Sequence, residues 1–311
     1  MRKSNLFQLA VGGLLAAAAT LSAGAAHSDA PRQVTPNSSG HGFASVYGDI
    51  PPDQAEALST ADRIKSAAAS GAPTLVWEAL EHGEKVECLD CIGAVAPLLY
   101  DSNAKNREIA AWWLRRRIFG VFGQGEVYQQ TIGVLASDGD PTRRAYAAYA
   151  LGEFFATPGI AACAQALAGD TDPGVRAAAA SALGRLNDDG GGALGAALGD
   201  SDASVKIAAL RAAARINAFS GLSSVAGLTL DADVSVRRSA VQVLDGLRAT
   251  DTVMVVLAVA QKDSDAGVRA AACHALGTFG DATTLVALQG IATSDPDTFV
   301  RDQAQIALRR L

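Results

Sequence analysis

Cys88 and Cys91 form the most compact chemical motif in the sequence, Cys88-Leu-Asp-Cys91. Cysteines at this spacing can form a local disulfide, exchange with a partner thiol, attach haem or supply half of a zinc site. Haem attachment needs a histidine where this chain has Ile92, and zinc needs a second pair of ligands. Because the N-terminus of the chain indicates export, we predict a structural Cys88–Cys91 disulfide, with redox exchange as the alternative.

His274 is a second position of chemical interest, because it stands beside Cys273. A histidine next to a thiol could ligate a metal or activate a nucleophile. No third ligand and no acid accompany the two residues in the sequence pattern, which favours an ordinary surface histidine. Cys273 and Cys163 lie far apart in the chain and are expected to be small buried residues. We therefore predict no catalytic residue, no metal site and no cofactor.

The elements that carry these residues follow from an internal repeat. One short pattern recurs at intervals of 30 to 32 residues. It consists of an acidic residue, two spacers, a third residue that is usually aliphatic, a basic residue and an alanine-rich stretch. A divergent copy begins 37 residues before the first clear one. The seven copies begin at Asn103, Asp140, Asp172, Asp202, Asp233, Asp265 and Asp297. This period is typical of stacked repeat proteins.

Each copy predicts a helix with one buried face. In the copy that starts at Asp172, the apolar residues that share one side of a helix are Val175, Ala179, Leu183 and Leu186. A second short apolar segment between copies predicts an antiparallel partner, so each unit is a helix, a turn and a helix. The acidic residue is expected to cap the second helix, and the basic residue to reach the neighbouring turn. We favour this structural role over an ion or phosphate site.

Residues 175–184, Val-Arg-Ala-Ala-Ala-Ala-Ser-Ala-Leu-Gly, and residues 268–277, Val-Arg-Ala-Ala-Ala-Cys-His-Ala-Leu-Gly, resemble HEAT-like repeats of the phycobilin lyase type. The resemblance covers roughly residues 90–311. It implies an all-α fold, a right-handed α-solenoid of about seven helix-turn-helix repeats. The family includes chromophore lyase subunits, the iron enzyme deoxyhypusine hydroxylase and many interaction scaffolds, so it specifies architecture rather than function.

The resemblance to the hydroxylase does not extend to its iron site. In that enzyme a His-Glu pair follows the Val-Arg of several repeats, whereas these positions here hold pairs such as Glu108-Ile109 and Ala270-Ala271. The lyase reading is weakened by the predicted export, because those lyases act on cytoplasmic partners. The sequence therefore favours a protein that is not an enzyme.

The first 26 residues have the pattern of a secretory signal. Arg2 and Lys3 precede an uncharged stretch from Leu6 to Leu21 and a small-x-small site at residues 23–25. No later stretch is long and apolar enough to span a bilayer, so no transmembrane segment is expected in the mature chain. The predicted location is periplasmic or extracellular.

Composition and charge limit the possible partners and indicate the domain organisation. The formal charge of −6 corresponds to −8 without Arg2 and Lys3, which makes nucleic acid an unsuitable partner. We predict a signal peptide at 1–26, a disordered tether at 27–58, an N-terminal helical cap at 59–99 and the solenoid at 100–311.

Aromatic residues suggest where a partner binds, because 11 of the 16 beyond residue 26 fall between Trp77 and Phe155. The position nine residues after each turn residue should face away from the buried stripe. In the first two copies it holds Trp112 and Tyr149. The predicted partner-binding set is Ile109, Trp112, Arg116, Tyr146 and Tyr149. The alternative is that these bulky residues pack beneath the helix at 77–84 as part of a cap.

Three hypotheses for function remain open at the level of sequence. The first is an exported scaffold that binds a protein or peptide, with the partner and the oligomeric state unknown. The second is a redox or lyase-like accessory protein that uses Cys88 and Cys91 or a bound chromophore. The third is a structural spacer in an envelope complex.

Overall fold

The computed structural model describes residues 59–117, 125–217 and 219–311. The predicted signal peptide at 1–26 and tether at 27–58 lie outside the described residues. The described part contains sixteen α-helices and no strand. In chain order they are α1 Ala61–Ser70, α2 Pro73–His82, α3 Leu89–Val95, α4 Ala104–Leu114, α5 Glu126–Ser137, α6 Pro141–Phe154, α7 Pro158–Gly169, α8 Pro173–Leu186, α9 Ala193–Ala197, α10 Ala203–Ala213, α11 Leu222–Gly227, α12 Val234–Gly246, α13 Val253–Lys262, α14 Ala266–Phe279, α15 Leu285–Ser294 and α16 Thr298–Leu308.

Consecutive helices form eight packed pairs, and the pairs stack one after another in chain order. Short 3₁₀ turns at Ala96–Tyr100 and Leu228–Leu230 extend the first helices of two pairs. The prediction of an all-α solenoid is confirmed. Seven pairs carry the repeat motif, and α1 with α2 forms an eighth pair at the N-terminal side. No helix in the described ranges is long and apolar enough to cross a membrane.

The predicted capping residues are confirmed at all seven second helices. Each turn residue lies directly before its helix, and its side-chain oxygen accepts a hydrogen bond from a backbone N–H of the first turn. Asp172, for example, accepts from the N–H of Val175 at 3.1 Å. These bonds satisfy donors that a helix N-terminus otherwise leaves without a partner, so the repeat motif fixes where each second helix begins.

In five of the seven turns, the basic residue forms the predicted bridge to the next unit. Its partner is the aspartate two residues before the next capping residue, rather than the capping carboxylate itself. At one such junction, Nε and Nη2 of Arg176 lie 2.8 and 2.9 Å from the two carboxylate oxygens of Asp200. The five rungs are Arg144–Asp170, Arg176–Asp200, Lys206–Asp231, Arg237–Asp263 and Arg269–Asp295. All five pairs are largely shielded from solvent, and they hold successive units in register.

Second helices approach each other closely because small residues meet at their contacts. A Cβ added to Gly184 would lie 2.7 Å from the Cα of Ala212, and one added to Gly277 would lie 2.7 Å from the Cα of Ala307. Gly152 faces Ala182 in the same way. At these three junctions the second helices therefore pack tightly. We call the outward side of the layer formed by all the second helices the second-helix surface.

One repeat has an unusually short first helix. Helix α9 spans only five residues, and the three glycines before it, Gly190 to Gly192, all adopt positive φ. Positive φ is readily adopted by glycine but strained for other residues, which explains the glycine run.

The run of Arg115, Arg116 and Arg117 is not uniformly solvated. Consecutive arginines at the end of a helix are commonly exposed, as Arg116 is, but Arg117 is only 3% exposed. Its guanidinium stacks on the Trp113 ring at 3.9 Å and donates to the carbonyls of Gly83 and Trp113 at 3.1 and 2.9 Å. Arg117 therefore ties the end of α4 to the chain that follows α2. The sequence could not reveal this role, because the acceptor Gly83 lies 34 residues away from Arg117.

Candidate partner-binding surface

The second-helix surface presents the column of residues predicted from the repeat. Its members are Trp112, Tyr149, Ser181, Arg211, Gln242, His274 and Ile306. From Ser181 onward they are exposed, whereas Trp112 and Tyr149 are half-buried. The column is therefore accessible along the stack, and its aromatic end is partly enclosed by neighbouring helices.

A hollow with a volume of about 360 Å³ lies at this aromatic end. Helix α2 contributes Trp77 and Glu81, and α6 contributes Glu153. Helix α4 lies between them and supplies Glu108, Ile109 and Trp112. We call this feature the tryptophan–glutamate hollow. Its described lining combines two indole rings with three carboxylates, and no basic side chain is among these residues.

Ile109 is placed differently from the prediction. The sequence places it on the accessible surface, but its side chain is 4% exposed and forms part of the hollow's floor. The reason is that α2 packs directly against α4 and covers its adjoining face. The cap alternative thus applies to Ile109, while Trp112 keeps part of its ring accessible. Trp113 and Leu114, which follow Trp112 on α4, are fully buried core residues.

Tyr149 lies beside the hollow in a negatively charged setting. Burial raises the pKa of Tyr149 to about 12, and the neighbouring carboxylate of Glu153 adds to this rise. Glu108 acts in the same direction. Arg185 partly offsets the charge, because its Nη1 lies 2.5 Å from Oε1 of Glu153 and its guanidinium lies 5.4 Å from the centre of the Tyr149 ring.

Tyr146 and Arg116 do not line the hollow. The guanidinium of Arg107 stacks on the Tyr146 ring at 3.8 Å, so one face of that ring is already occupied. Arg116 is exposed and forms an ion pair with Glu84. Of the five predicted partner-binding residues, the structure brings Ile109 and Trp112 together in the hollow and places Tyr149 at its edge. Their role in binding stays a prediction.

Sequence reasoning missed Trp77 as a lining residue, and with it all three glutamates. A signal for them is present in the sequence, because a glutamate stands four residues from an aromatic residue on three separate helices. The pairs are Trp77 with Glu81, Glu108 with Trp112 and Tyr149 with Glu153. Residues four apart lie on the same face of a helix, so each helix presents an aromatic ring and a carboxylate together.

Cys88 and Cys91 are joined by a disulfide at the start of α3, with Cα atoms 5.2 Å apart. The Cys88 sulfur also accepts a hydrogen bond from the N–H of Cys91 at 3.1 Å. Cys88 is 8% exposed and Cys91 is fully buried. Thiol exchange requires access of a second sulfur to the bond, so this burial favours a structural role over redox exchange.

His274 is exposed, as expected, but it is not isolated. Its Nδ1 lies 3.0 Å from Oδ2 of Asp245 in the preceding unit, and its Nε2 lies 3.4 Å from Nη1 of Arg310. Both Cys273 and Cys163 are buried, which confirms the prediction, and burial raises the pKa of each thiol to about 12. Among the residues that the structure describes, no cluster of three or more His, Cys, Asp or Glu could hold a metal ion.

Comparison with known proteins agrees with this architecture. Residues 129–214 and 222–309 match the family described as HEAT repeats. None of the curated proteins matches the sequence. The structure of YibA from Escherichia coli is similar with a TM-score of 0.52, at 18% identity, over 83% of this chain and 95% of that one.

Two further solved structures share the helical-repeat arrangement. Kap95p, in a structure of its binding to RanGDP, has a TM-score of 0.57 and 13% identity, over 79% of this chain and 38% of Kap95p. The CpcE and CpcF complex of phycocyanin lyase from Nostoc sp. PCC7120 has a TM-score of 0.39 and 20% identity, over 71% of this chain and 94% of that one. At these identities the similarities concern the fold alone.

Proposed function

The chain belongs to the HEAT-repeat family, and on this basis we propose that it is an exported scaffold that binds a protein or peptide partner on its second-helix surface and catalyses no reaction of its own. The observation that carries the proposal is the tryptophan–glutamate hollow at one end of an accessible column of residues. Half-exposed tryptophans in a partly enclosed site are typical of binding hot spots.

The general behaviour of this architecture also supports the proposal. HEAT repeats commonly bind proteins, and Kap95p, which has a similar fold, binds RanGDP. Stacked repeats give an extended surface on which several units can contact one partner. In this chain the units are held in register by the buried ion pairs between turns, so the surface is already formed before a partner arrives.

Export is supported by the N-terminal sequence pattern and by the buried Cys88–Cys91 disulfide. Sequencing the N-terminus of the protein recovered from fractionated cells tests this part of the proposal. We expect it to begin near residue 27 in the periplasmic or extracellular fraction. An intact Met1 terminus in the cytoplasmic fraction would overturn it.

Site-specific photo-crosslinking in the native cell tests the binding surface. A photoreactive phenylalanine analogue replaces Ser181 or Gln242 on the second-helix surface, and Gln165 or Gln261 on the first helices serves as the matched control. All four side chains are exposed. We expect the same partner to be cross-linked from the first two positions and not from the control positions.

The contribution of the aromatic end is tested in the same experiment. A Trp112→Ala, Tyr149→Ala double variant with unchanged helical content by circular dichroism should lose the cross-link from Ser181. Equal cross-linking from both faces of the solenoid, or none from any position, would contradict the scaffold function. A cross-link that survives in the double variant would move the contact to other repeats.

A further inference from the structure

The tryptophan–glutamate hollow has the chemistry of a site for a cation. Two indole rings and three carboxylates line one cavity, and none of the described lining residues is basic. Aromatic rings attract cations through the negative charge of their faces, and a partly enclosed carboxylate adds a charge-assisted hydrogen bond. The cavity of about 360 Å³ is at the lower end of the range for ligand pockets, roughly 300 to 1,000 Å³. It therefore suits one side chain or a small group.

The arrangement is built by three helices. Each of α2, α4 and α6 presents an aromatic ring and a glutamate four residues apart. Because α2 and α6 both pack against α4, these three faces converge. The negative charge is shared by side chains from different repeats, so the site exists only when the repeats are stacked.

The chain itself supplies arginines that interact with the same kinds of group. Arg185 enters from α8, pairs with Glu153 at 2.5 Å and lies over the Tyr149 ring. Arg117 stacks on the indole of Trp113 at 3.9 Å. A planar guanidinium can stack on an aromatic ring and bond a carboxylate at once, which an ammonium does less well.

One carboxylate in the hollow has no cation partner among the residues that the structure describes. Glu153 is paired with Arg185, whereas Glu108 forms no ion pair with any described residue. Glu108 is exposed and stands one turn from Trp112 on the same face of α4. Glu108 and Trp112 are thus the two residues best placed to meet an incoming cation.

We propose that the tryptophan–glutamate hollow binds a basic side chain, arginine in preference to a neutral residue of similar length, from an extended segment of the protein partner. This inference rests on the proposed scaffold function and specifies the partner's chemistry. The guanidinium stacks on Trp112 and Trp77, and it bonds the carboxylate of Glu108. Neighbouring residues of the segment continue along the second-helix surface toward Tyr149.

Selection from a displayed library of random heptapeptides, with the purified protein as bait, tests this proposal. Selected peptides are resynthesised with a fluorophore, and their dissociation constants are measured by anisotropy. Each basic residue is also replaced by norleucine, which keeps the aliphatic stem of the side chain and removes its charged end. The protein variants are Glu108→Gln, which removes the charge at nearly constant shape, and Asp302→Asn on α16 as a charge-matched control outside the hollow.

We expect the selected peptides to share an arginine whose replacement by norleucine weakens binding at least tenfold. Glu108→Gln should weaken binding of the parent peptide by a similar factor and leave the norleucine peptide unchanged, while Asp302→Asn should have little effect. Raising the salt concentration should weaken the parent peptide more than its norleucine version.

The outcomes separate this inference from the scaffold function. If peptides bind the second-helix surface but tolerate norleucine, or if Glu108→Gln binds them as tightly as the parent protein, the cation site is refuted and the scaffold stands. If no peptide is selected and photo-crosslinking also finds no partner, both are refuted. Binding that needs an arginine but responds equally to Glu108→Gln and Asp302→Asn would reflect net charge alone and would also refute the site.

Discussion

Replacing Gly184 by alanine should destabilise the protein, although alanine is the better helix former. In an exposed helix interior the change from glycine to alanine is favourable by about 1 kcal/mol. At Gly184, however, the added Cβ would lie 2.7 Å from the Cα and 2.8 Å from the Cβ of Ala212. Ordinary carbon contacts are about 3.5 to 4.0 Å, so α8 and α10 would have to separate by about 1 Å.

The magnitude follows from these opposing effects. Overpacking of a tight core costs about 1 to 3 kcal/mol, and the upper half of this range applies because one of the colliding atoms belongs to the backbone. After the gain in helix propensity, we expect a net loss of about 1 to 2 kcal/mol in the free energy of unfolding. The displacement would also alter the spacing of units across the middle of the stack.

Gly290 provides the matched control. It lies within α15, is exposed, and a Cβ added there would meet no other atom within 4 Å. Gly290→Ala should therefore stabilise the protein by about 0.5 to 1 kcal/mol. Urea unfolding followed by circular dichroism measures both variants against the parent. The reasoning is refuted if Gly184→Ala is as stable as Gly290→Ala, because the close approach of second helices would then not constrain the stack.

Three further perturbations address the inter-unit ion pairs, the disulfide and the buried arginine. Asp200→Asn should lower the free energy of unfolding by about 1 to 3 kcal/mol at neutral pH, as measured by urea unfolding. Because the Arg176 guanidinium holds the pKa of Asp200 below its usual range, the difference in stability from the parent should shrink as pH falls below about 4. A difference that does not change with pH would contradict the ion pair. Replacing Cys88 and Cys91 together by serine should lower the free energy of unfolding by about 2 kcal/mol, as loop closure predicts for so short a ring, and rapid alkylation of either thiol in the folded parent would refute the disulfide. Arg117→Met should remove the hydrogen bonds to the carbonyls of Gly83, Glu84 and Val86 and speed hydrogen exchange in α2 by at least tenfold. Unchanged exchange there would show that this arginine does not hold the N-terminal pair.

The sequence predicted those features that depend on local chemistry repeated at a fixed interval. Each capping aspartate bonds a backbone N–H two or three residues away, so its position alone determines where the second helix begins. The inter-unit pairs were only partly predictable. The basic residue could be identified, but its partner was not recognised because Asp170 and Asp200 lie outside the motif, in the loop that precedes the next cap.

The candidate site was less predictable, because it depends on contacts between helices that share no motif. Trp77 lies on α2, in the one pair without the repeat pattern, so no register relates it to Trp112. Ile109 has an apolar side chain at a position that is only half-buried in later repeats, and its burial reflects the packing of α2 rather than its own sequence. Arg117 resembles its neighbours in type and differs only in what surrounds it.

The position of the hollow follows from an exception in the repeat. Twelve residues after the turn residue, Gly152, Gly184 and Gly277 allow their helices to touch the next second helix. In the first copy this position holds Arg115, whose side chain excludes such an approach, and α4 contacts α6 less extensively than α6 contacts α8. The space that close packing removes elsewhere is thereby retained beside Trp112.

The same position supports this explanation farther along the chain. In the fifth copy it holds Asp245, and there too the second-helix surface carries a polar contact, the pair with His274. Glycine at this position thus closes the junction between two units, and a larger residue leaves room for other side chains or for a partner. A binding site in this solenoid is therefore indicated by two sequence features together. The small residue at a junction is replaced by a larger one, and the adjoining helix faces carry aromatic and acidic residues. Both features occur between α4 and α6.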